Sequence, residues 1–217
     1  YVKVLSNIYA TRENILGAFG EDWLPANVKP GDIALVYVAT HGTSSTQDSK
    51  HLNYLVAYDT DPKHPYSTGI QLQELVKSIK QRLNEDANRL ILVLDTCHSG
   101  AAEPGAKGLA APTFDITDLV QGTGQLIIAS AGANQTAHDS RRYKNGIFTK
   151  HFMDGLRTNK KLSDAFNYTQ NRVAEEAKTD FHNDQVPVIK DAEWSGADVV
   201  LTVPPSQPRR PTDDTKK

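Results

Sequence analysis

The sequence has little cysteine, no long apolar run and no excess of charge of either sign. Cysteine occurs once in 217 residues, so no internal disulfide can form, and disulfide-stapled scaffolds and cysteine-rich zinc sites are excluded. The longest uninterrupted apolar stretch is Ile33 to Ala39, far below the roughly 18–20 residues of a membrane-crossing helix. No charged segment leading into an apolar stretch opens the chain, so no secretory signal is visible. With 24 Lys plus Arg against 26 Asp plus Glu, nothing electrostatic favours nucleic acid or an acidic membrane surface. These absences point to one soluble, cytoplasmic domain with no nucleic-acid and no membrane partner. They also leave a single thiol, structural or reactive, to be explained.

What is present is an alternation of strand and helix patterns. Val2 to Leu5 reads as a short buried strand, and Thr11 as the N-cap of a helix carrying Ile15, Leu16 and Phe19. Asp32 to Ala39 is nearly continuous in apolar residues, the pattern of a strand covered on both faces in a parallel sheet. Tyr54 to Tyr58 reads as a second short strand, and Ser67 or Thr68 can cap the next helix. In that helix Leu72, Leu75, Val76, Ile79 and Leu83 recur on one face. Arg89 to Asp95 is another doubly covered strand, so strand, helix, strand implies a parallel crossover. Residues 100 to 124, rich in Ala, Gly and Pro, read as a long surface loop. Gln125 to Ala131 is a third core strand. Ile147 to Leu156 and Ser163 to about Ala177 read as helices, Val186 to Ile189 and Val199 to Val203 as short β segments, and 204–217 as a disordered tail after a domain spanning 1–203.

In open parallel α/β sheets, ligands bind beyond the carboxyl ends of the strands. His41 follows the strand ending at Ala39, and Cys97 follows the strand ending at Asp95. If the two strands are parallel in one sheet, a thiol and an imidazole meet at one edge, which is the pairing of a nucleophile with its base. The backbone N–H groups of Gly42 and Cys97 could hold the oxyanion of an acyl intermediate. No Asn or Asp is evident to orient the histidine. Asp95 either caps a loop N–H or lines a pocket beside the nucleophile, where a carboxylate would select a cation.

The segments Val36-Tyr37-Val38-Ala39-Thr40-His41-Gly42 and Leu94-Asp95-Thr96-Cys97-His98-Ser99-Gly100 resemble the two catalytic motifs of the caspase-like cysteine peptidases. The Asp-x-Cys-His-Ser-Gly form is that of metacaspases and orthocaspases. The 56-residue spacing of His41 and Cys97 is close to the roughly 50 described for caspases. Ile127 to Ala137, Gly146-Ile147-Phe148-Thr149 and Gln185-Val186-Pro187 extend the likeness over nearly all of 1–203.

The resemblance implies a caspase-like α/β/α sandwich with a mostly parallel central sheet, and a cysteine endopeptidase acting on polypeptides. Cys97 would attack the scissile carbonyl and His41 would handle protons. Asp95 would pair with a P1 Arg or Lys, where animal caspases carry Gln in a pocket for P1 Asp. Ala39 occupies the position of a pocket serine, so one hydrogen bond of that pocket is missing. The family's opening strand and helix precede anything found here, which suggests a fragment completed by a cleaved N-terminal segment of the same precursor. Self-processing would fall at Lys107, Arg141, Arg142 or Lys144. No cofactor is expected, although some metacaspases bind calcium through loop acids. Asp59, Asp61, His64 and His51 match no defined calcium loop and read as a solvated turn. His98 reads as structural, Ser99 lacks the surroundings of a hydrolase nucleophile, and His138, His151 and His182 read as surface residues. The rival readings are a catalytically silent caspase-like scaffold or adaptor and a caspase-like peptidase of non-basic P1 specificity.

Overall fold

The computed structural model describes residues 1–44, 52–83, 89–97, 116, 119–120, 124–133, 135–192 and 199–201. Helices α1 (Arg12–Gly20) and α2 (Trp23–Asn27) lead into β1 (Ile33–Ser44). There follow β2 (Asn53–Leu55), α3 (Pro65–Thr68), β3 (Ile70–Gln71), α4 (Leu72–Arg82), β4 (Arg89–Cys97) and β5 (Gln125–Ala129). Helices α5 (Ile147–Thr158) and α6 (Leu162–Phe181) and strand β6 (Val188–Ala192) complete the elements. The six strands form one mixed sheet in the order β3-β2-β1-β4-β5-β6. Its central ladders, β1 with β4 and β4 with β5, are parallel, and the outer pairings are antiparallel.

The pleat of β4 divides the core. Leu90, Leu92 and Leu94 face one layer with Leu24 of α2 and Leu72, Leu75, Val76 and Ile79 of α4, while Ile15, Leu16 and Phe19 of α1 pack at its margin. Ile91 and Val93 face the other layer with Phe148 and Phe152 of α5 and Phe166 and Val173 of α6. Leu90 to Leu94 are wholly buried, each contributing roughly 1.5–3 kcal/mol of transfer free energy. This is the α/β/α sandwich expected from the sequence, with the crossover between β1 and β4 parallel.

Several local expectations are corrected. Val2 to Leu5 forms no strand: no ladder pairs it, and Val2 and Val4 are exposed. The strand beginning near Asp32 is fully covered on one face only. Ala34 and Val36 are buried in the layer of α2 and α4, whereas Ile33, Leu35 and Tyr37 are 42%, 47% and 43% exposed, because α5 and α6 pack on β4 and β5 and reach β1 where Thr149 meets Tyr37. That strand also runs on to Ser44, since β2 pairs with Gly42–Ser44 and prolongs it. The strand expected over Tyr54 to Tyr58 ends at Leu55.

Thr68 caps no long helix. It closes α3, giving its hydroxyl proton to the His64 carbonyl, and Gln71 precedes α4. Helix α6 begins at Leu162, one residue ahead of the expected cap Ser163, because the Leu162 N–H is held by the Val199 carbonyl outside the helix. Most of 100–124 lies outside the described residues, but Ile116 and Leu119 are core residues, not surface loop. The segment expected at Val199 to Val203 reduces, among the described residues, to one bridge between Val200 and Lys161. The tail 204–217 lies outside the described residues.

Candidate active site

Nine rungs join β1 to β4 in parallel, from Ile33 opposite Arg89 to His41 opposite Cys97. His41 and Cys97 therefore meet on the last rung at the carboxyl end of the central strands, as the spacing of the two apolar runs implies. His41 is exposed and lies inside β1, not beyond its end, because its carbonyl accepts from the Val56 N–H at 2.9 Å and Gly42 stands opposite Leu55. Thr40, on the other face, anchors the same corner by donating its hydroxyl to the Val56 carbonyl at 2.5 Å. Gly42 is buried.

Two residues before Cys97, Asp95 sits opposite Ala39 and is only 4% exposed. The pleat places it on the α5 side of the sheet, as it does Ile91 and Val93. The first turn of α5 meets it there. Thr149 donates its hydroxyl to the Asp95 carboxylate and accepts a contact from the Tyr37 hydroxyl at 2.5 Å. The Thr149 backbone N–H also hydrogen-bonds to Asp95, so a side chain from β4 satisfies one of the N-terminal donors that α5 cannot satisfy itself. Gly146, at the N-cap of α5, makes room for it: a Cβ there would lie 3.2 Å from Asp95 Oδ2. Burial pushes the Asp95 carboxyl above the usual carboxylate range, against the hydroxyls of Thr149 and Ser130 and the Thr149 N–H, and nearby Asp139 adds to the rise. Asp95 thus accepts from the start of α5 and is a buried acid two residues from the rung that carries His41 and Cys97.

The loops beyond β5 are tied down by two glutamines. Gln185, wholly buried, accepts from the His138 N–H and donates to the Ser130 carbonyl, both at 2.9 Å. Gln135 Oε1 accepts from the Gly132 N–H at 3.1 Å and the Val186 N–H at 2.8 Å. The basic bend 141–145 is closed by a bridge between Asp139 and Gly146. Within it Arg141, Arg142 and Lys144 are exposed, but Arg142 grips Asp180 of α6 with two hydrogen bonds and Arg141 stacks 4.7 Å from the Phe181 ring centroid. Lys107, His98, Ser99 and His51 lie outside the described residues.

Of the turn residues, Asp61 holds His64 Nδ1 at 2.8 Å and the Lys63 N–H, and Asp59 accepts the Arg12 N–H at 2.8 Å, so the acids organise turns and a helix start. His138 is part-buried and stacked on Phe181, and His182 is exposed in the left-handed region at the end of α6. His151 departs from its expected surface place. It is buried with Nε2 2.8 Å from Glu176 of α6.

Thr149, Tyr37, Gly146 and Glu176 are the members of this region that the sequence does not reveal. Gly146 and Thr149 stand in a segment that resembles the family, but nothing in it pairs Thr149 with Asp95, 54 positions away.

The molecule has recognisable relatives in architecture. The structure is similar to the crystal structure of caspase-1 from Spodoptera frugiperda, with a TM-score of 0.51 and 16% identity over 85% of this chain and 70% of the other. It is also similar to the structure of pro-sf-caspase-1, with a TM-score of 0.50 and 15% identity over 82% of this chain and 66% of that one, just under two thirds of its length. At these identities the likeness concerns the fold. No curated protein matches the sequence. No helix among the described residues is long and apolar enough to cross a membrane. The family model of the C14 peptidases, described as the caspase domain, matches residues 1–194, and the chain belongs to that family of peptidases.

Proposed function

We propose that the protein is a cysteine endopeptidase that hydrolyses polypeptides after Arg or Lys through a dyad of Cys97 and His41. The observation that carries this reading is the last rung of the β1–β4 ladder, where the only thiol and an exposed imidazole-bearing residue share one sheet edge. Cys97, as the thiolate, attacks the scissile carbonyl carbon. The backbone N–H groups of Gly42 and Cys97 receive the oxyanion. Collapse of the tetrahedral adduct breaks the C–N bond as His41 passes its proton to the leaving amine, and water then hydrolyses the thioester with His41 as base. The reaction as written draws on a thiol, an imidazole and two backbone amides and calls on no cofactor. A working thiol suits a reducing, cytoplasmic setting.

Basic specificity rests on Asp95, with Ala39 beside it on the neighbouring strand. A carboxylate in a site of low exposure is stabilised by a cation far more than by a neutral or acidic side chain. Activation by cleavage at Lys107, Arg141, Arg142 or Lys144 is part of the proposal. So is a partner segment from the same precursor; intact-mass analysis and N-terminal sequencing of active material would reveal it.

Incubation with fluorogenic peptides ending in Arg, Lys or Asp, with Cys97→Ala as control, tests the reading. Turnover of the basic peptides by the wild type alone is expected. Equal signal from both proteins would leave a silent scaffold as the better description, and preference for Asp would remove the role of Asp95.

A further inference from the structure

We infer that Thr149, backed by Tyr37, is the positioning residue that sets the orientation and charge of the Asp95 carboxylate for a basic substrate side chain. This inference rests on the specificity reading above and names a residue outside the motifs that suggested it. Three groups from three elements, the Tyr37 hydroxyl of β1, the Thr149 hydroxyl of α5 and the Asp95 carboxylate of β4, stand in one hydrogen-bonded line.

The proton inventory of that line fixes its polarity. An ionised carboxylate only accepts, so Thr149 gives its single hydroxyl proton to Asp95 and must itself accept from Tyr37. The line then runs from Tyr37 through Thr149 to Asp95, every donor pointing towards the negative charge, and each bond polarises the next. A protonated Asp95 can donate to Thr149 or still accept from it, but only as a neutral partner. The hydroxyl pair therefore favours the ionised form, because a bond to a carboxylate is the stronger one. It opposes the burial that pushes the Asp95 proton affinity up.

Geometry adds a second constraint. The Thr149 hydroxyl and backbone N–H reach the same carboxylate, and Gly146, having no Cβ, lets that carboxylate sit against the start of α5. Tyr37 is 43% exposed and reaches the buried acid through the Thr149 hydroxyl, two residues from Ala39 along β1. A cation arriving at Asp95 meets a carboxylate whose plane is already set.

The test compares Thr149→Val, Thr149→Ser and Tyr37→Phe with the wild type. Valine keeps the shape and the backbone N–H that Asp95 caps, serine keeps the hydroxyl, and phenylalanine keeps the ring. With matched peptides ending in Arg, citrulline or norleucine, Thr149→Val should lower kcat/KM for Arg about tenfold, through KM, and leave the neutral peptides unchanged. Thr149→Ser should restore the wild-type Arg-to-citrulline ratio, and Tyr37→Phe should lower it by a smaller factor. A second readout, carboxyl NMR titration of Asp95, should place its pKa higher in Thr149→Val than in wild type. An unchanged Arg-to-citrulline ratio, or an equal loss on all peptides, would overturn the inference. A wild type with no basic preference at all refutes the specificity proposal, and the NMR comparison still decides whether Thr149 governs the charge of Asp95.

Discussion

His151 Nε2 stands 2.8 Å from Glu176 with both side chains buried, and the other carboxylate oxygen of Glu176 accepts from the Ser140 hydroxyl at 2.7 Å. One carboxylate thus joins α5, α6 and the bend that carries Arg141, Arg142 and Lys144. Replacing Glu176 by alanine leaves a buried imidazole and a half-buried hydroxyl without that acceptor. The expected loss is about 2–4 kcal/mol of folding stability, read from urea denaturation. A loss within about 0.5 kcal/mol of zero would mean that the imidazole and the hydroxyl find other partners.

Asp95 gives a pH-dependent prediction whose sign follows from its raised pKa. Below the ordinary value of 3.8 the folded and unfolded chains both hold the proton, and the group contributes nothing. As the pH rises past that value the unfolded chain releases its proton while the folded one retains it, so folding is progressively disfavoured until the folded pKa is passed. Asp95→Asn should therefore melt higher than wild type at pH 7 and level with it near pH 3. In the same enzyme, cleavage after Arg should be lost at every pH. A variant that melts lower at pH 7 would show that the carboxylate charge stabilises α5 more than burial opposes it.

Gly155 of α5 packs directly on α6. A Cβ there would sit 2.6 Å from the Ala165 carbonyl oxygen and 3.0 Å from Thr169 Oγ1. Gly155→Ala gains up to about 1 kcal/mol in helix propensity but must push two packed helices apart, which costs roughly 1–3 kcal/mol. A lower melting temperature is expected, and a higher one would show that the helices separate freely.

His41→Ala should lower kcat/KM by at least about a thousandfold. Because His41 is exposed, stability should move by no more than about 0.5 kcal/mol. Loss of stability in step with activity would mark the residue as structural.

Self-processing predicts fragments ending at Lys107, Arg141, Arg142 or Lys144 in the wild type and none in Cys97→Ala, resolved by mass spectrometry. Cleavage after Arg142 should be slowest, because its guanidinium is held by Asp180. Identical fragments in both proteins would assign the cuts to another protease.

The parts legible in sequence are those written in short periods. The Leu72, Leu75, Val76, Ile79 stripe specifies α4 by itself, and the apolar run of β4 specifies a doubly covered strand. Together they bring His41 and Cys97 to one edge. What was not legible depends on partners far away in the chain. Nothing in Ile33 to Tyr37 says that α5 and α6 leave that face half exposed. Nothing near Gly42 says that β2 returns antiparallel and extends β1. His151 reads as a surface histidine until Glu176, on a different helix, supplies its partner. The line from Tyr37 to Asp95 needs three elements at once, and no local pattern encodes it.

The nine-rung ladder makes the protein's tolerance of insertions and deletions sharply uneven. Losing one residue inside Ile33–Val38 or Arg89–Leu94 moves the last rung by one position and turns the residues beyond it to the opposite face of the sheet. Adding or removing residues between positions 45 and 52 leaves every rung in place. A scan of single-residue deletions should therefore trace the two central strands as silent stretches in an activity map, with activity returning outside them.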